Sequence, residues 1–318
     1  MFSNPNPHYF IVLSQSDSIS AAAEKLHVSH QNLSKYIKNL EQEYRITLFT
    51  RMPRLKLTEA GEAMLETMRE LAFSEENLQI RLEEIRHAKT GKLRVGTPEG
   101  RFRIVFPELL VRMKELYPQV RIEPVAAPSH ALQKMLRENE LDLVLIDRYF
   151  ADLIQFRHLF QLDERLFLVI SRNLLQTVFS EKSAERLTDF QKGIRLEEFA
   201  KVPFILNSPN SISRYYLDRW QAEHQLQLPT IMELPQLDMQ ILLSARDYGA
   251  SFCWSMYLSS IRQQNRLHPE NPLYAFPILE FPARNQVILA ALKNKKLSAF
   301  AAAFARLLRE QCEKLSPS

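Results

Sequence analysis

Residues 20–44 read SAAAEKLHVSHQNLSKYIKNLEQEY, and this stretch decides the fold of the N-terminal region. Ser20 suits the cap of a short helix, Ala21 to His27. Its Ala21-Ala22-Ala23 run leaves little side-chain bulk, so another helix can approach closely. Val28-Ser29 makes a turn, and Ser29 caps a further helix from His30 to about Glu43. In that helix Leu33, Ile37, Leu40 and Tyr44 fall at i, i+4, i+7 and i+11, the spacing of one buried stripe. Gln31, Lys35, Lys38 and Gln42 lie opposite, flanked by Ser34 and Asn39. Upstream, a first helix starts at about Pro7, sets Phe10 and Leu13 on one face, and breaks at Asp17-Ser18.

Two helices joined by a tight turn suggest a helix-turn-helix, in which the start of the second helix meets base edges. Here that start offers His30, Gln31, Asn32, Ser34 and Lys35, with Lys38 one turn on. Amide, hydroxyl and ammonium groups are those that reach bases and phosphates in a major groove. A polar face alone is common to amphipathic helices, so the next segment matters. Arg51-Met52-Pro53-Arg54-Leu55-Lys56-Leu57 reads as a wing, with Leu55 and Leu57 inward and Arg51, Arg54 and Lys56 near phosphate. The first 57 residues hold seven Lys and Arg, and six lie between Lys35 and Lys56. The whole chain carries a formal charge of only +4, so it is the clustering that points to double-stranded DNA.

From Thr58 to Ala88 the pattern changes to one long helix. Thr58 is a fair cap, and Glu59 and Glu62 suit the positive end of the helix dipole. Met64, Leu71, Leu78 and Ile85 repeat every seven residues, and Met68 and Leu82 widen the stripe. Residues 58–88 would make a rod of roughly 46 Å. A seven-residue seam between two compact regions pairs with another helix, so the chain is expected to dimerise.

Beyond Lys92, strand-like and helix-like segments alternate as in an α/β domain. Strand candidates are Leu93–Thr97, Arg121–Val125, Leu141–Ile146, Leu166–Ile170, Pro203–Leu206, Thr230–Leu234, Ser251–Trp254 and Val287–Leu292. Helical stretches fall between most of them, as at Val105–Tyr117 and His130–Glu138. Continuous apolar runs such as Leu166–Ile170 suit strands covered on both faces. The order suggests two doubly wound subdomains, in which ligands sit beyond the carboxyl ends of strands. Thr97, Ser129, Asn207 and Ser208 stand at such ends, next to helix starts that welcome an anion. Arg101 and Arg103 either add positive charge at the cleft or are solvated surface arginines, and the second reading is preferred. Residues 174–201 read as a surface excursion.

Composition narrows the function. At 318 residues the chain expects two or three domains. Cys253 and Cys312 form no disulfide framework and are read as inert thiols. No signal peptide and no membrane-length apolar run are visible, so a cytoplasmic location without membrane attachment is expected. With six glycines, the chain lacks GxGxxG and GxxxxGK[ST], and it also lacks HExxH, GxSxG and CxxC. Neither catalysis, a cofactor nor a metal site is expected.

Taken together, Ser20 to Ser29, Leu33-Ser34-Lys35 with Ile37, Leu40-Glu41, Leu48-Phe49 with Arg51, and Leu57-Thr58-Glu59-Ala60-Gly61 resemble the LysR-type transcriptional regulators in order and spacing. The resemblance implies a winged helix-turn-helix over 1–57, a linker and dimerisation helix over 58–88, and a periplasmic-binding-protein-like effector domain over 92–318. In that domain subdomain I would take about 92–162 and 269–318, and subdomain II about 163–268. Thr97, Ser129, and Asn207 or Ser208 match effector-contact positions of the family. The resemblance further implies tetramers built as dimers of dimers, RNA polymerase as a partner, and sequence-specific control by a small molecule of unknown identity. The departures are His30-Gln31 where the family commonly has Gln-Pro, and Tyr44-Arg45 where it commonly has Leu-Gly. Either Arg45 takes the left-handed conformation, at about 1–2 kcal/mol, or the turn differs and Arg45 contacts phosphate. Two other readings stay open: a nucleoid-type DNA binder without effector, and a solute-binding module.

Overall fold

The computed structural model describes residues 6–50, 54–85, 90–151, 154–179, 183–209, 211–281 and 285–315. It divides into two compact units, residues 1–88 with 294–298, and residues 89–293 with 299–318.

The first unit orders α1 (Pro7–Ser14), α2 (Ile19–Lys25), α3 (His30–Tyr44), β1 (Phe49–Thr50), β2 (Lys56–Leu57) and α4 (Glu59–Ile85). Phe10, Leu13, Ala22, Ala23, Leu33, Ile37, Leu40, Leu48, Phe49 and Met68 form its core. Small alanines on α2 therefore do admit a close neighbour. The cap of α2 is Ser18 rather than Ser20. Ser18 is extended, and its hydroxyl accepts the Ala21 N–H at 3.1 Å. Ser29 caps α3 by accepting the Asn32 N–H at 3.2 Å. Tyr44 does not complete the buried stripe, being 42% exposed. The helix ends directly after it, where Arg45 is left-handed (φ 54°, ψ 38°). The Glu41 carboxylate then accepts the Leu48 and Phe49 N–H groups at 2.9 and 3.3 Å, which fixes the entry to β1. Strands β1 and β2 pair antiparallel as the base of a wing. Thr58 starts α4, donating to the Thr47 carbonyl and accepting the Gly61 N–H. A Cβ at Gly61 would fall 2.1 Å from the Leu48 carbonyl oxygen, so this helix start tolerates only glycine.

Among the described residues the second unit contains two larger sheets and a two-stranded one. The first has strand order β4-β3-β5-β12-β6, from β3 (Thr90–Thr97), β4 (Gln119–Ala126), β5 (Leu143–Asp147), β6 (Phe156–Glu164) and β12 (Asn285–Leu292). Its β3 runs parallel to β4 and β5, and β12 runs antiparallel to β5 and β6. Helices α5 (Glu99–Leu116), α6 (Ser129–Arg137) and α12 (Ala299–Leu315) belong to this subdomain. The second has order β10-β7-β11, from β7 (Leu166–Ser171), β10 (Ser251–Trp254) and β11 (Leu273–Pro277). Beside it β8 (Phe204–Leu206) and β9 (Thr230–Glu233) pair in parallel, and a bridge from Phe204 to Ala250 joins β8 to the β10 side. Helices α7 (Arg172–Phe179), α8 (Ser183–Lys192), α9 (Ile212–His224), α10 (Leu237–Ser244) and α11 (Leu258–Leu267) complete it.

Three expectations change here. Strands β6 and β11 were not among the candidates. The chain returns to the first sheet after β11 and before β12, later than residue 269, because β11 pairs with β7. Residues 174–201 are no surface excursion. Rings of Phe179, Phe190 and Phe199 pack at 5.0–5.4 Å, Phe190 also meets Phe276 of β11, and Ile194, Leu196 and Phe199 are buried. The Arg186 guanidinium lies over the Phe190 ring at 4.7 Å, a cation–π contact. These apolar groups form the core that the small β7 sheet needs on one face. Among the described residues no helix is long and apolar enough to cross a membrane.

Candidate DNA interface and ligand cleft

Helix α3 buries Leu33, Ile37 and Leu40 and leaves His30, Gln31, Asn32, Lys35 and Lys38 exposed, with Ser34 half-buried. The helix is held from behind. Tyr36 donates its hydroxyl to the Asn6 carbonyl at 2.8 Å and meets the Tyr9 ring edge-on at 5.5 Å. Burial holds the Tyr36 phenol well above its ordinary pKa, so it stays a donor. In the wing, Leu55 is buried, Leu57 is half-buried and Lys56 is exposed. Arg54 sits 3.7 Å from Asp17 with both side chains largely exposed, a pairing too weak to keep it from a phosphate. Arg51 lies outside the described residues.

On α4 the seven-residue seam divides. Leu65 and Met68 are buried in the domain core, and Met64 packs against that core half-buried. Leu71 and Leu78 are 41% and 55% exposed, and Leu82 is exposed beside them. The Ile85 side chain lies outside the described residues. The seam therefore offers apolar surface mainly beyond its first turns.

The second unit holds a cavity of about 840 Å³ between its two subdomains. Its walls are the starts of α5, α6, α9 and α10, together with Trp254 and Tyr257. Ser129, Asn207 and Ser208 line it, with His130 and Ser211. Asn207 accepts the Ser208 N–H at 2.8 Å, and Arg214 donates to the Asn207 carbonyl at 3.1 Å, so this loop is braced. Thr97 is fully buried and donates its hydroxyl to the Leu145 carbonyl at 3.2 Å; it is not among the described residues that line the cavity. Its hydroxyl ties β3 to β5 instead.

Arg101 is the main surprise of the cleft. Read as a surface arginine, it is 4% exposed. It donates to both oxygens of Asp147, at 3.2 and 2.7 Å, and to Glu164 at 2.9 Å. Asn285 adds a hydrogen bond to Asp147 at 2.6 Å. Glu164 ends β6 and Asn285 begins β12, and the two are paired across the sheet. The cluster thus sits where both chain crossings between subdomains begin or end. Burial would lower the Arg101 pKa, but Asp147 and Glu164 outweigh it and hold the guanidinium charged. Burial raises the Glu164 carboxyl, with Arg101 opposing. Sequence reasoning missed this cluster; the one available signal was a carboxylate, Asp147, directly after the apolar run Leu143–Ile146.

Among the described residues, several contacts span the cleft. Arg103 of α5 reaches Asp238 of α10 at 2.7 Å while also holding Glu99 at 2.7 Å. Tyr149, following β5, packs on Tyr215 of α9 with ring centroids 4.9 Å apart. A Cβ on Gly100 would fall 2.2 Å from the Tyr257 hydroxyl, so glycine lets α5 begin directly against that ring. Cys253 and Cys312 are buried, and burial raises both thiols, Cys312 to about 12.

Comparison with known proteins agrees with this architecture. Residues 7–62 match the family described as "Bacterial regulatory helix-turn-helix protein, lysR family", and residues 86–313 match the LysR substrate binding domain. The chain is 26% identical to the HTH-type transcriptional regulator YcgK of Bacillus subtilis, itself uncharacterized, over 95% of this chain and 92% of that one. It is 24% identical to the HTH-type transcriptional activator CmpR of Synechocystis, over 93% and 91%. Among solved structures, full-length OxyR from Pseudomonas aeruginosa, a cysteine-to-aspartate variant, superposes with a TM-score of 0.66 at 19% identity, covering 98% of this chain and 95% of that one. CbnR in complex with its target DNA gives 0.54 at 18% identity, covering 98% and 100%. The chain belongs to the LysR family and is a transcriptional regulator with a DNA-binding helix-turn-helix domain followed by an effector-binding domain.

Proposed function

We propose that residues 1–57 read DNA, residues 58–88 pair two copies, and residues 92–318 sense a small molecule in the cleft. Each copy sets the start of α3 in a major groove, with His30, Gln31, Asn32, Ser34 and Lys35 toward base edges. Lys38, Arg51, Arg54 and Lys56 take phosphates. The observation that carries this reading is the division of α3: one stripe buried in the core, and the opposite face of amide, imidazole and ammonium groups exposed. Two-fold pairing through Leu71 and Leu78 requires a partly palindromic operator. Met64 and Ile85 extend the same seam.

The effector sits among Ser129, Asn207 and Ser208, and Thr97 supports the site from beneath by tying β3 to β5. It acts by binding one arrangement of the subdomains better than another, since only differential affinity shifts such an equilibrium. The action is binding, not catalysis. Family membership supports the remaining elements: tetramers formed from dimers, contact with RNA polymerase, and a cytoplasmic setting. Replacing Lys35 and Arg54 together with alanine is expected to abolish DNA retention with an unchanged melting temperature. Retention that survives the double change contradicts the assigned interface.

A further inference from the structure

The charge of the cleft names a class of effector. Two arginines line it, Arg101 and Arg103, and each is already held by two carboxylates. No lysine is among the described residues lining it. At the cavity wall two carboxylates, Glu99 and Asp238, meet the single guanidinium of Arg103, which leaves a surplus of negative charge there.

Arg101 is buried and fixed at the crossings, so it is not free to turn toward an anion. Arg103 gives one nitrogen to Asp238 and another to Glu99, all three residues line the cavity, and their side chains are about half exposed. Each of those carboxylates uses one oxygen on Arg103, Oδ2 of Asp238 and Oε1 of Glu99, and holds a second oxygen beside it. Exposed pairs of this kind are weak and exchange partners readily. The walls add Tyr215, Trp254 and Tyr257, and aromatic faces attract cations. The starts of α5 and α10 carry Glu99 and Asp238 in their own first turns, so their positive ends already face carboxylates. The starts of α6 and α9 carry no acidic residue there and define the opposing possibility, a carboxylate ligand.

We infer that the cleft takes an organic ammonium, seated on Asp238 and Glu99 against the aromatic wall, in preference to a carboxylate of the same size. This rests on the reading of the cleft as the effector site. The cation replaces part of the Arg103 bridge, so it bears directly on the contact that spans the two subdomains.

The test is calorimetric titration of the full chain with phenethylammonium and with phenylpropanoate, which share a ring and a two-carbon arm. Parent, Asp238→Asn and Ser208→Trp proteins are compared, the last filling the cavity. The ammonium is expected to bind the parent, to weaken about tenfold or more in Asp238→Asn, and to fail in Ser208→Trp. Tighter binding of phenylpropanoate, lost in Ser208→Trp, overturns the ammonium assignment and leaves the cleft as the effector site. Binding that ignores Ser208→Trp overturns both. Binding of neither probe overturns the ammonium assignment.

Discussion

Arg101 holds both carboxylate oxygens of Asp147, at 3.2 and 2.7 Å, beneath the ligand cleft. The pair is almost wholly buried, and Glu164 completes it from the neighbouring crossing strand. Removing one partner of a buried ion pair strands the other charge in a medium that cannot solvate it. Arg101→Met leaves the Asp147 carboxylate in that state and removes a hydrogen bond from Glu164. It is expected to destabilise the second unit by about 3–5 kcal/mol in urea unfolding. A loss below about 1 kcal/mol would show that water reaches the cluster.

Glu164 gives the cluster a pH signature. Burial raises its carboxyl pKa, so the folded chain keeps this proton to higher pH than the unfolded chain does. The associated stability is complete below the ordinary carboxylate pKa of about 4.3 and is lost as pH rises through the folded value. Glu164→Gln cannot lose that proton. Its stability relative to the parent should therefore climb as pH rises above about 4.3. A difference that stays flat over this range would place the Glu164 pKa at its ordinary value.

Arg45 ends α3 in the left-handed region, where a Cβ is strained. Glycine removes the strain but adds freedom to the unfolded chain, and the two terms partly cancel. Arg45→Gly is expected to stabilise the first unit by about 0.5–1 kcal/mol, while Arg45→Ala keeps the strain. A glycine variant less stable than the alanine variant would contradict this account of the helix end.

Leu71 and Leu78 are exposed on α4 within one chain. Charges there should be tolerated by the monomer and rejected by a pairing seam. Leu71→Glu with Leu78→Glu is expected to sediment as a monomer with little change in monomer stability, where the parent sediments as a dimer or larger. A double variant with the parent's sedimentation coefficient would move the pairing surface elsewhere.

Much of the first unit was legible because its signals are local. The stripe of Leu33, Ile37 and Leu40, the Ser29 cap and the alanines of α2 each act within a turn or two of themselves. Ser20 misled because Ser18, two residues earlier, caps equally well and is already extended. The cleft was less legible. Arg101 reads as surface because its partners lie 46 and 63 residues away. Thr97 stands at a strand end as expected, yet the carbonyl of Leu145 claims its hydroxyl, and no local pattern announces that bond. Strand β6 mixes Arg157, His158 and Asp163 with its apolar residues, and its burial comes from pairing with the distant β12. Residues 174–201 read as a surface excursion because their aromatics are spread along the chain, at Phe179, Phe190 and Phe199. Only β11, far along the chain, gathers them.

The central claim is that α3 and the wing read a defined DNA sequence. The most direct measurement is retention of genomic fragments by the full chain at two salt concentrations, followed by sequencing. Specific reading predicts a few enriched fragments that share a partial palindrome and persist at the higher salt. Uniform retention that falls steeply with salt would mean phosphate contact alone, and would contradict sequence-specific recognition in favour of a nucleoid-type binder.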